Sequence, residues 1–122
     1  MPKINGFTLY GLESENERIQ YTDPHGNSSV VWMAKPEGGS SNSADGGYYS
    51  PYVNIDETKT YRYSVWMKKT GDATGYSYLG LSIKNASWAG STLNLDSTTA
   101  SNPYFWWGDL PTLDKWYLIV GY

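Results

Sequence analysis

Aromatic rings outnumber branched aliphatic side chains in this sequence, and that balance limits the kind of core it can build. Across 122 residues there are 6 Trp, 12 Tyr and 2 Phe, while Leu, Ile and Val together number 19. A packed helix needs apolar residues recurring every three to four positions, and the sequence has almost no such run. Rings instead suit the pleated, half-buried surface of a sheet, and each buries a large area. Thirteen Gly and six Pro cut the chain into short pieces. With a formal net charge of only −3, the scarcity of aliphatics does not signal disorder. The expectation is an ordered, turn-rich, all-β chain.

Charge and rare residues exclude several function classes. Nine basic residues against twelve acidic ones, with no basic run, make a poor partner for nucleic acid, because phosphate contacts need clustered Lys and Arg. Without cysteine there is no disulfide, thiolate metal site or Cys nucleophile, and the redox compartment stays open. His25, the one histidine, sits in a Pro-His-Gly turn, a poor mount for a rigid general base. No window has the apolar length of a membrane span, and the opening Met1-Pro2-Lys3-Ile4 is not a signal peptide.

Strand signals recur along the chain. Phe7 to Tyr10 is short and alternating, Asp23-Pro24-His25-Gly26-Asn27 reads as a tight turn, and Ser29 to Ala34 reads as a strand. The polar stretch Leu12 to Ile19 supports two helical turns at most. Gly47 to Val53 is extended, with Pro51 marking an edge or bulge. Alternation is cleanest in Thr60 to Lys69: Tyr61, Tyr63, Val65 and Met67 share one face, and Arg62, Ser64, Trp66 and Lys68 the other. Tyr76 to Lys84 repeats the pattern, with Leu79, Leu81 and Ile83 opposite Tyr76, Tyr78, Gly80, Ser82 and Lys84. The Gly-containing link between these segments is short enough for a hairpin. Pairing them would bring Trp66, Tyr76 and Tyr78 together on a solvated face beside Arg62 and Lys84, with Gly80 leaving a groove.

Further on, Tyr104-Phe105-Trp106-Trp107 places four rings in succession. Simple alternation sends Tyr104 and Trp106 one way, Phe105 and Trp107 the other. One pair is expected in the core, the other on a second stacking surface or a subunit contact. Trp32 and Trp116 lie in apolar strands and are expected in the core. Many short strands with regular turns suggest a single β-sandwich or jelly-roll domain over 1–122. Because the apolar run Trp116 to Val120 reaches almost to Tyr122, the chain is expected to be a fragment of a longer protein, truncated at its C-terminus.

The stretch Tyr61-Arg62-Tyr63-Ser64-Val65-Trp66-Met67-Lys68, with the Gly-rich link after it and the closing Trp116-Tyr117-Leu118-Ile119-Val120, resembles carbohydrate-binding modules of the galactose-binding-like jelly-roll type. Asp23-Pro24-His25-Gly26, Gly108-Asp109-Leu110-Pro111 and Lys115-Trp116-Tyr117 look like bacterial surface and phage tail-fibre proteins that carry such sandwiches. The resemblance implies an oligo- or polysaccharide ligand, an extracellular or virion-surface location, and a homo-oligomer or longer chain around the domain. It also admits a structural calcium ion, which no EF-hand-like spacing supports.

On the residues themselves, Trp66, Tyr76, Tyr78, Tyr104 and Trp106 are candidates to stack on sugar C–H faces, with Arg62 and Lys84 bonding hydroxyls. The same rings would serve equally as cross-strand packing. A glycosidase needs two carboxylates flanking one bond, but Asp72, Asp96, Asp109 and Asp114 all fall at turns, where Asp bends the chain. The expectation is a non-catalytic binding module. An assembly domain of a tail fibre or surface protein, whose exposed rings meet other chains, is the alternative.

Overall fold

The computed structural model describes residues 6–36, 45–56, 58–71, 76–80, 92–93, 99–100 and 104–122. Strands dominate, and the one helical element among the described residues is the 3-10 turn Glu13–Glu15, so the chain is all-β. It divides into two compact units, Met1–Lys59 and Thr60–Tyr122.

In the first unit, β1 (Thr8–Tyr10) pairs antiparallel with β4 (Gly47–Tyr49), and β2 (Asn16–Thr22) pairs antiparallel with β3 (Ser28–Ala34). The turn between β2 and β3 is built by Asp23. Its carboxylate accepts hydrogen bonds from the backbone N–H of His25 and Asn27 and from the Ser29 hydroxyl, each at 2.9 Å. Gly26 takes φ +87°, a left-handed conformation that glycine adopts without strain. The tight turn expected from Pro24 and Gly26 is therefore present. β2 itself was hidden by its polar residues: what reads as a loop with helical character becomes one short turn followed directly by a strand.

The apolar centre of this unit is aromatic. Trp32 stacks on Tyr48 with ring centroids 4.0 Å apart and meets Phe7 edge-on at 4.6 Å. The Tyr48 hydroxyl donates toward the carbonyls of Glu17 and Met33, at 3.0 and 3.2 Å, and so ties β4 to the β2–β3 hairpin. Trp32 is half-buried rather than enclosed. Glu15, by contrast, is buried, and its carboxylate accepts from the Leu12 N–H at 2.7 Å.

Among its described residues, the second unit holds three antiparallel pairs. β5 (Tyr63–Lys68) pairs with β10 (Trp116–Gly121), β6 (Ser77–Gly80) with β9 (Tyr104–Gly108), and β7 (Thr92–Leu93) with β8 (Thr99–Ala100). The expected hairpin between β5 and β6 is not formed: each takes a distant strand as its partner. Directly paired residues share a face. Thus Tyr63, Val65 and Met67 stand with Tyr117, Ile119 and Gly121, and Ser64, Trp66 and Lys68 with Trp116, Leu118 and Val120.

Phe105 of β9 lies against the first of these faces. It meets the Tyr63 ring edge-on at 5.6 Å, and a Cβ at the buried Gly121 would stand only 2.5 Å from its ring. Leu110 is the one buried apolar side chain among the described residues. The loop around it is held by Lys69, whose ammonium meets the Asp109 carboxylate at 2.5 Å and whose carbonyl accepts from the Asp114 N–H at 2.8 Å.

Candidate functional site

Four exposed aromatic rings gather at the β6–β9 pair. Its register sets Ser77 against Gly108, Tyr78 against Trp107 and Leu79 against Trp106, then slips so that Gly80 meets Tyr104. The slip leaves Phe105 as the extra residue of a bulge, and a bulge inverts the alternation on its far side. Tyr104 therefore returns to the face of Tyr78 and Trp107 instead of following Trp106. The ring contacts agree with this placement. Tyr78 lies 4.9 Å from Tyr104 at a 44° tilt, and Tyr76 meets Trp107 edge-on at 6.1 Å.

All four rings are open to solvent, with exposures of 61% for Tyr76, 53% for Tyr78, 41% for Tyr104 and 64% for Trp107. They form two adjacent ring pairs on one side of a short strand pair. Each Tyr adds a hydroxyl to its apolar ring, so the surface offers flat contact area interrupted by hydrogen-bonding groups. Beyond Trp107 the chain passes through Gly108, at φ +143°, to Asp109. The Lys69 ammonium beside Asp109 holds its carboxyl below the usual value of 3.8, with a smaller contribution from the Leu110 N–H. An ionised, half-exposed carboxylate thus follows the platform at its Trp107 end.

The remaining candidates fall elsewhere. Trp66 is exposed at 41% but belongs to β5, directly opposite Leu118 of β10. Its face is not the polar one that β5 alone suggests, because β10 contributes Trp116, Leu118 and Val120 to it. Trp66 is therefore on a different strand pair from Tyr76 and Tyr78. Trp106 pairs with Leu79 on the side away from Tyr78 and is half-buried. Arg62 is exposed just before β5. Lys84 and Ser82 lie outside the described residues.

Plain alternation puts Trp107 on the side of Phe105, so local pattern alone does not join it to Tyr104. Only the bulge, which depends on pairing with β6, brings them to one face. Among the described residues, no three His, Cys, Asp or Glu side chains gather as metal ligands, and no helix is long and apolar enough to cross a membrane. Comparisons with models of known families, with curated proteins and with solved structures find no match to this chain.

Proposed function

We propose that the chain is a non-catalytic carbohydrate-binding module of the jelly-roll β-sandwich type, which holds the sugar rings of an oligo- or polysaccharide against Tyr76, Tyr78, Tyr104 and Trp107. The observation that carries this reading is the convergence of four exposed rings on one face of β6–β9. A pyranose presents C–H bonds on its flat face and hydroxyls around its rim. The indole and phenol rings cover the former; the Tyr hydroxyls donate to or accept from the latter, and the Asp109 carboxylate accepts from them. Because ring faces are tolerant partners, affinity at one site is modest, and repeated copies on a fibre or cell surface raise the avidity. A place outside the cell or on a virion fits such a role.

Glycan-array screening of the full chain, followed by calorimetric titration of a saccharide it retains, tests the proposal. Trp107→Ala is expected to weaken binding at least about tenfold, the loss of one well-stacked ring. Trp66→Ala is expected to leave the affinity within about twofold, since a contact that is absent cannot be lost. An array with no retained saccharide overturns the proposal. Loss with Trp66→Ala but not with Trp107→Ala moves the site to the β5–β10 pair.

A further inference from the structure

The Tyr78–Tyr104 contact joins two phenols, and the register of β6–β9 explains why they meet. The bulge returns Tyr104 to the face of Tyr78, and Gly80, directly opposite Tyr104, has no side chain to stand between them. Tyr104 thus reaches its diagonal neighbour on β6, a span that aromatic side chains cover. The ring centroids stand 4.9 Å apart at a tilt of 44°. At that separation the near edges of the rings touch, with carbon atoms about 3.5–4.0 Å apart. The Trp32–Tyr48 and Tyr63–Phe105 contacts, by comparison, each contain one phenol only.

Reach and composition point the same way. Both rings are open to solvent, so an oxidant in solution has access to either. The chain carries twelve tyrosines and no cysteine, so a disulfide between strands is not open to it, whereas phenol coupling is. We propose that Tyr78 and Tyr104 are an oxidative cross-linking site, where a one-electron oxidant of the haem-peroxidase class joins the rings into dityrosine.

The chemistry balances. Each phenol gives up one electron and its hydroxyl proton, leaving a phenoxyl radical with spin on the ring carbons ortho to oxygen. One such carbon of each ring bonds to the other. Each then passes its hydrogen to its own oxygen as the ring regains aromaticity. The protein loses two electrons and two protons in all, and one hydrogen peroxide takes them up to give two waters. The new bond fixes β6 to β9 at their bulged end and constrains the unfolded chain as a disulfide would. The site follows from the strand register and does not rest on sugar binding.

Treatment of the full chain with a haem peroxidase and hydrogen peroxide tests it, at a dilution that disfavours links between chains. The expected product is a monomer lighter by two hydrogen atoms, with dityrosine fluorescence and a proteolytic peptide that joins Tyr78 to Tyr104. Tyr78→Phe and Tyr104→Phe should each lose this peptide with the β-rich circular dichroism retained, and Tyr76→Phe should keep it. In urea, which removes the strand pairing, the preference for these two positions over other tyrosines should be lost. The proposal is overturned if the oxidised monomer contains no Tyr78–Tyr104 peptide. A yield of that peptide as high in urea as in the folded chain overturns it as well.

Discussion

Trp66 and Trp107 are chemically identical side chains on exposed strand positions, yet their cross-strand neighbours differ. Trp107 has Tyr78 directly across and Tyr76 edge-on, rings that widen a platform. Trp66 has Leu118 across, which makes a compact apolar knob. The parity of β5 puts Trp66 on the face away from Tyr63, Val65 and Met67, but the surroundings of that face depend on β10, some fifty residues on, which no local pattern reveals. Asp23 is the opposite case, a residue whose role is local and therefore legible from Asp-Pro-His-Gly. The Asn27 N–H is the main cause holding its carboxyl below the ordinary 3.8; desolvation opposes it, and the Ser29 hydroxyl and His25 N–H add smaller lowering effects. A depressed folded value means that the unfolded chain takes up the proton more readily. The stabilisation is thus complete above 3.8 and lost as pH falls from there through the lower folded value. Asp56 and Asp109 are shifted the same way, so a single variant must isolate Asp23. Thermal midpoints followed down through this range should fall less steeply for Asp23→Asn than for wild type. Equal slopes would show that the turn carboxylate contributes nothing.

Strands and turns were mostly legible as elements, and their partners were not. Period-two alternation marked β5 and β6, and β-branched and aromatic runs marked β3, β9 and β10, because those signals arise within a few residues. Pairing is set by which apolar faces must meet, and the short Gly-containing link suggested a hairpin that long-range packing overrules. β2 was overlooked because Asn16, Glu17, Arg18 and Gln20 mask the alternation of Ile19 and Tyr21 against β3. Two changes probe how the elements are joined. Gly121→Ala puts a methyl group into the space held by the Phe105 ring, an overpacking expected to cost about 1–3 kcal/mol. Urea denaturation should show this loss, and Phe105→Ala in the same chain should recover part of it. An unchanged midpoint for Gly121→Ala would place Phe105 elsewhere. Tyr48→Phe removes the hydroxyl that reaches the Glu17 and Met33 carbonyls. It should destabilise the first unit by about 1 kcal/mol, read from the same denaturation curves.

At the scale of the molecule, the main physical fact among the described residues is how little apolar material is enclosed. Leu110 is the single buried apolar side chain among the described residues, while Trp66, Tyr76, Tyr78, Tyr104 and Trp107 are all exposed. Composition foretold a ring-rich all-β chain, since rings can replace aliphatic area, but it did not say which rings would face water. Among the described residues, the exposed rings of Tyr76, Tyr78, Tyr104 and Trp107 gather at β6–β9. All of this depends on β6 pairing with β9, and nuclear Overhauser contacts between aromatic rings test that pairing most directly. Cross-peaks linking Tyr78 with Tyr104 and Tyr76 with Trp107, and none linking Trp66 with Tyr78, are the expected result. Cross-peaks from Trp66 to Tyr76 and Tyr78, with none from Trp107, would contradict it.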